Sequence, residues 1–582
     1  MILKALYDYY HRDKNPVPYG WMKAALSFII VINQNGQFVR VEDSRDKDGI
    51  GKIFLVPKGE HTNSVSPLLF WDNLMYALDL SSKISEHEKH LAFVDKCNKI
   101  ASLFNSPSLN AVVAFYQNGE LQKVYKDPLW DDMKKNPKAS ITFRIEGSPF
   151  VILEEEIFEE IVKWEDLQIR KDCLKAVCLI TGKNTEIVRV GTKTPIIGCK
   201  NSSKLVAFQK DLGFDSYGKS QGGNAPISLE AEFAYSTALM KLKEDGSRNK
   251  FMIGDRTFLF WASNDSNTSK KVEENLFFFL GIPQKENDPN QNIEQVRAVF
   301  ESIYDGPNRT SQDDTFFILG LAPNSGRIAV IYWAEIPLYE FAKRINRHFS
   351  DMDITGGKDS HKTLWSIVNA IKNKKNNKNS KDDKDKGFPP NLPDALVKSI
   401  FQGLPYPQTL YSSCIRRIKA EITTEKYDEA FKKGYIATRA AIIKAYLNRL
   451  NNSNKKIEKE MDKNNNNQGY LCGRLFAVLD KIQEEANNQH TIRERYMNSA
   501  SSTPAAVFAT ILNLSSHHSE KLNEGRNVFF EKLKQEIIDK IDANGFPAHL
   551  DLQDQGRFFV GYYHQRQAFF TKNEKEENND NQ

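Results

Sequence analysis

Short runs of β-branched and aromatic residues, broken by Asn-Gly pairs, dominate the first half of the chain. "FIIVINQNGQFVRVED" places Asn35-Gly36 between two such runs, "AVVAFYQNGELQKVY" repeats the arrangement at Asn118-Gly119, and "FFILGLAPNSGRIAVIYW" does so around Asn324 to Gly326. Each reads as a β-hairpin, because Asn and Gly reach the positive φ that tight hairpin turns require. Helical periodicity interrupts these runs at 154–170, 229–243, 293–304 and 338–349. The alternation is not a regular βαβ repeat, so the pattern predicts an α+β region with antiparallel hairpins over residues 1–350.

Beyond it, residues 351–393 read as a helix followed by a low-complexity linker. "NKKNNKNSKDDKDKG", from Asn373 to Gly387, has no large apolar residue with which to offset the entropy of ordering. After "FPPNLP" the pattern turns to amphipathic helices at 407–422, 428–450, 471–486, 505–514 and 519–541. An all-α helical bundle is therefore expected over 394–582. A second asparagine run, "DKNNNNQGY", follows Met461 and leaves 461–582 as a compact helical module by itself.

Composition narrows this picture only a little. At 582 residues the chain is long enough for several cores, and its net charge of +5 permits a nucleic-acid partner without requiring one. The start, "MILKALYDYYHRDK", has no uninterrupted apolar segment, and no stretch approaches a membrane span, so a cytoplasmic protein without a membrane partner is expected. Six cysteines show no CxxC pair; Cys173, Cys178 and Cys199 have the wrong spacing and lack a fourth ligand for zinc.

One local charge pattern stands out. From Ala430 to Ile457 there is no acidic residue, while Lys432, Lys433, Arg439, Lys444 and Arg449 accompany an apolar stripe of Ile436, Ala440, Ile443, Leu447 and Leu450. The basic residues read either as a solvated face or as contacts to a phosphate backbone.

Catalytic signatures are missing. There is no GxxxxGK[ST] loop, no GxGxxG after a strand and no GxSxG elbow. "EHEKH" has His87 and His90 three apart, with Glu88 misplaced for a zinc protease base, and "HHSE" at His517 and His518 reads as a helix start. No enzyme, metal site or cofactor is expected.

Several stretches together resemble one family, the large subunit of the type I-C CRISPR Cascade effector. They are "CLITGKNTEIVRVGTKTPIIG", "LVAFQKDLGFDSYGKSQGGNAPISLEAEFAYSTALMKL" and "IGDRTFLFWA", together with "ILKALYDYY", "FWDNLMYAL", "LGLAPNSGRIAVIYW" and "FFVGYYHQRQAFF". The resemblance implies a non-catalytic subunit of an RNA-guided surveillance complex. Implied tasks are recognition of the protospacer-adjacent motif in double-stranded target DNA, strand opening, R-loop stabilisation through the displaced single strand, and recruitment of a helicase-nuclease effector for antiviral defence. Implied partners are CRISPR guide RNA, the Cascade backbone subunits and a helical small subunit, the last of which 461–582 would supply if translated separately from Met461. Base pairing reads the long target in such systems, so protein need read only a short motif.

Within that resemblance, "SYGKSQGGNAPIS" is the main candidate for motif reading. Gly222 and Gly223 let backbone approach a nucleic acid, Lys219 pairs with phosphate, Gln221 and Asn224 contact base edges, and Tyr217 stacks. The competing reading makes Tyr217 core, the glycines a turn, and Ser228 the cap of the following helix. Asn73 in "FWDNL" is a second candidate, against the reading in which Asp72 or Asn73 caps the next helix; Arg256 is a third, against a pair with Asp255. This chain departs from the family at "NSSKLVAF", where family members carry a Ser-Ser-Gly-Ala stretch; Lys204 offers a charge there but no glycine. A purely architectural subunit that caps the 5′ end of the guide RNA is the alternative function.

Overall fold

The computed structural model describes the backbone of residues 2–579 apart from 62–63, 81–83, 211–212, 214, 216, 281–296, 304–313, 357–361, 373–386, 388, 390, 423–426, 428–429, 431–432 and 451–455. The expected linker at 373–387 lies almost entirely outside the described residues. The chain forms two compact units, one comprising Leu3–Lys193 and Val206–Leu239, the other Thr194–Leu205 and Met240–Gln582.

The first unit is built on a four-stranded sheet of order β3-β2-β6-β5, from β2 (Phe28–Ile32), β3 (Phe38–Asp43), β5 (Trp71–Asn73) and β6 (Ser140–Ile145). Asn35-Gly36 makes the expected hairpin between β2 and β3, with Gly36 at φ +77°. β2 and β6 run parallel, in contrast to the antiparallel pairing read from the sequence. Over a hundred residues separate them, more than enough for the helical crossover that a parallel pair needs. The helices Ile84–Phe104 and Pro107–Gln117 lie in that crossover; Phe93, Val112 and Phe115 share a core with Ile30 and Phe143. β1 (Trp21–Leu26) pairs with β4 (Lys52–Pro57), and β7 (Lys175–Val177) with β8 (Asn184–Glu186).

Asn118-Gly119 is not a hairpin. Asn118 ends the helix Pro107–Gln117, donating its N–H to Ala114 O, and Gly119 follows at φ +70°. The same permissive dipeptide serves a helix end as readily as a turn between strands, and Pro107 at the helix start with Leu109, Val112 and Phe115 buried decides for the helix.

In the second unit, β9 (Lys250–Ile253), β10 (Arg256–Ala262), β11 (Thr315–Asn324) and β12 (Arg327–Pro337) form an antiparallel meander, with the expected hairpin at Asn324 to Gly326. Helices dominate from residue 338 onward, among them Leu338–Met352, Gln408–Glu421, Tyr435–Leu450, Gln468–Asn487, Pro504–Ser519, Glu524–Ile538 and Leu552–Asn579. The fold is thus α+β followed by helices, but sheet and helices are not separately cored: Phe258, Phe316, Phe341, Phe401, Ile443 and Phe476 belong to one apolar cluster. His517 and His518 fall in the last turn of their helix rather than at its start, and His518 Nδ1 meets Asn487 Nδ2 at 3.0 Å.

Candidate nucleic-acid interface

The loop that follows Ser216 is held against its own chain. Val188 N–H donates to Ile227 O (2.9 Å), Gly222 N–H donates to Arg189 O (3.0 Å), and Leu179 N–H donates to Pro226 O (2.9 Å). Gln221–Asn224 make one 3₁₀ turn. A Cβ on Gly222 would lie 2.0 Å from Val188 O, so the first glycine serves an approach of backbone to backbone within the protein. Gly223 has ordinary room, with Lys219 Cβ at 3.8 Å from its added Cβ.

The side-chain amides brace this turn. Asp215 Oδ1 accepts from Gln221 N–H (3.0 Å) and from Asn224 Nδ2 (2.9 Å), while Gln221 Oε1 accepts from Arg189 Nη1 (2.8 Å). At the tip the arrangement is different. Tyr217 is 99% exposed, which removes the reading that placed it in a core, and Lys219 is exposed beside it. Tyr217 and Gln221 both occupy the left-handed region, at φ 53° and 45°, uncommon for residues with a side chain. The result is an aromatic and a cation projecting from a stiff base.

Ser228 ends the loop as expected, its Oγ accepting from Ala231 N–H (3.1 Å) at the start of the helix Leu229–Lys243. Its own N–H donates to Cys178 Sγ (3.3 Å), as does that of Ile180 (3.4 Å). Burial raises the Cys178 thiol, but donors from Thr181, Ser228 and Ile180 outweigh it and pull the pKa to about 7. Among the described residues no three His, Cys, Asp or Glu side chains are grouped to hold a metal.

Asn73 is buried. Its Oδ1 accepts from Met75 N–H (3.1 Å), capping the short helix Leu74–Ala77, and its Nδ2 meets His61 Nε2 at 3.0 Å. Capping consumes the groups expected to enter a groove. Arg256 is mostly covered, ion-paired to Asp255 (2.5 Å) and facing Asp394 (3.4 Å), so its charge is answered inside the second unit. Lys204 is half-buried and belongs to the second unit, not to the unit that carries the loop. The neighbouring Ser203 Oγ donates to Gly326 O (2.9 Å) in the β11–β12 turn.

The basic helix Tyr435–Leu450 departs most from expectation. Arg439 is 2% exposed, donating to Glu421 Oε2 (2.5 Å) and Ala370 O (2.7 Å). Arg449 donates to Asp351 Oδ2 (2.6 Å) and to the carbonyls of Ser399 and Leu404 (2.7 Å each), with its guanidinium 4.1 Å from the Tyr406 ring. Lys444 is 4% exposed. These three therefore do not form a phosphate-binding face: the acids missing from the helix come from other helices, and the cations are interior. Lys433 is exposed, and Lys432 lies outside the described residues.

Sequence reading missed Arg189, exposed and bonded to Gln221, and Asp215, which organises the turn. Asp215 carried a signal in its nearness along the chain, six residues before Gln221, whereas Arg189 lies 32 residues away and meets the loop only through tertiary pairing.

The chain matches the family of CRISPR-associated proteins designated Cas_Csd1 over residues 5–570. It therefore belongs to that family, the large subunit of type I-C Cascade. No curated protein matches it. Among the described residues no helix is long and apolar enough to cross a membrane.

Proposed function

We propose that this Cascade subunit recognises the protospacer-adjacent motif in duplex DNA, promotes strand opening, and stabilises the displaced strand, without catalysing a reaction itself. Guide RNA, backbone subunits, a helical small subunit and a helicase-nuclease are its proposed partners, and the cytoplasm its proposed compartment. The observation that carries motif reading is the loop tip: Tyr217 is 99% exposed and Lys219 is exposed beside it, on a turn pinned by Gly222 and Asp215. A ring that stacks on a base step and a lysine on phosphate need such a preorganised base. Tasks are divided as the sequence suggested, with motif reading in 1–350 and single-strand and partner contacts in 394–582. Residues 461–582 are proposed to be made a second time from Met461 as the small subunit; mass spectrometry of the purified complex then shows a peptide beginning at Met461, and its absence removes the idea.

The test is the assembled complex with guide RNA and duplexes that differ only in the flanking motif. Tyr217→Ala with Lys219→Ala is expected to lose at least about tenfold in motif discrimination, the size of one lost base or phosphate contact, while binding an already opened target as the wild type does. Discrimination that survives this double substitution makes the loop structural or RNA-facing.

A further inference from the structure

We infer that a cleft among the helices Gln468–Asn487, Glu524–Ile538 and Leu552–Asn579 receives one nucleotide of a single DNA strand. The inference rests on the reading above that the chain stabilises a displaced strand. The cleft encloses about 470 Å³, within the range of small-ligand sites. Its apolar wall consists of Phe529, Phe569 and Phe570, and Phe570 is 45% exposed. Lys463, Lys481, Arg526 and Lys532 bring four positive charges to the rim, against Glu485 and Glu536.

Those charges are unequally used. Glu485 is taken by Arg526 Nε (2.9 Å) and lies 3.8 Å from Lys481, which also pairs with Glu484 (3.1 Å). Lys463 and Lys532 have no ion-pair partner among the described residues. Two of the lining side chains are held from inside by the fully buried Arg474, its Nε donating to Gln565 (3.0 Å) and its Nη2 to Glu536 (3.3 Å). Aromatic faces and two lysines without an ion-pair partner among the described residues suit a ligand that is flat at one end and anionic at the other. A nucleotide has that form, and stacking with backbone neutralisation is how single strands are held.

The experiment measures binding of a fluorescein-labelled thymidine-rich oligodeoxynucleotide to the full-length chain across a salt series. Lys463→Glu with Lys532→Glu is expected to weaken binding at least about tenfold and to flatten the salt slope by about 1.4, two phosphates' worth. Phe570→Ala is expected to weaken it roughly five- to a hundredfold with the slope unchanged, and Phe570→Trp to restore it. Both lysines and Phe570 are exposed, and matched thermal melts establish that the variants fold. Wild-type affinity in all variants overturns the site. So does displacement of the strand by an equal concentration of free thymidine monophosphate, which assigns the cleft to a mononucleotide, or tenfold tighter binding of the matching RNA. A complex that opens its DNA target normally with both variants removes the cleft and leaves motif recognition standing. A complex blind to target DNA whose large subunit still shows these strand effects removes the function and leaves the cleft.

Discussion

A methyl group on Gly222 would sit 2.0 Å from the carbonyl oxygen of Val188, and neither backbone has freedom to retreat. Gly222→Ala is therefore expected to destabilise the first unit by roughly 2 kcal/mol, whereas Gly223→Ala stays within about 0.5 kcal/mol. Urea denaturation of the two variants distinguishes them, and equal midpoints would refute the close-approach argument. Asn73→Ala should cost about 1 kcal/mol through the lost cap with motif discrimination intact; Asn73→Asp, which keeps the accepting oxygen, should cost less. At this scale the sequence made the loop visible through its glycines and amides. It did not say what they approach, because Val188, Arg189 and Asp215 become neighbours of Gln221 and Gly222 only after folding.

The helix Tyr435–Leu450 shows how far a charge count along one element can mislead. Its apolar stripe was legible, and Ala440, Ile443 and Leu447 are buried as that stripe demands. Ala437, Ala441, Ile442 and Ala445 are buried as well, so the helix is surrounded and its cations need interior partners. Arg439→Ala leaves Glu421 buried and without its Arg439 partner, and is expected to cost about 3–5 kcal/mol. The thermal midpoint reads this directly, and the salt slope of DNA binding should not change; a stable variant with a flatter slope would return Arg439 to the interface. The helices Gln468–Asn487 and Leu552–Asn579 meet through glycines: a Cβ on Gly473 would lie 2.0 Å from Phe558 O, and one on Gly561 2.2 Å from Tyr470 O. Such close backbones explain why the aromatic spacing of "GYYHQR" serves packing, with Tyr562 and Tyr563 in the core.

Across the whole molecule, two buried histidines tie the stability of the second unit to pH. His348 is pulled down to about 3 by burial and then by Arg449, and His564 to about 3 by burial and then by Lys444. Both stay neutral in the fold, with Nδ1 at 2.8 Å from Tyr406 Oη and at 3.0 Å from Tyr470 Oη respectively. Unfolded, each takes up a proton near pH 6.5, so the unfolded state binds more protons between about pH 6.5 and 3. The stabilisation is complete above pH 6.5 and declines as pH falls. At pH 5 the two together should cost roughly 4 kcal/mol, at about 1.36 kcal/mol per unit for each group. Urea midpoints at pH 7 and pH 5 measure this, with His564→Gln expected to halve the difference; identical midpoints at both pH values would exclude it.

Local pattern determined the kind of element almost everywhere that apolar periodicity was sustained. The hairpins at Asn35-Gly36 and Asn324 to Gly326, the helix Leu229–Lys243 with its Ser228 cap, and the succession of helices after residue 400 follow from side-chain spacing and turn chemistry. Family membership was also written in the sequence, since its signature blocks are linear. Pairing over long separations was decided only by tertiary structure: the parallel union of β2 with β6, the shared core of β9–β12 with the helices, and the inward turn of Arg439, Lys444 and Arg449. A residue's partners depend on which distant faces pack together, whereas periodicity along the chain reports only that a face must be covered.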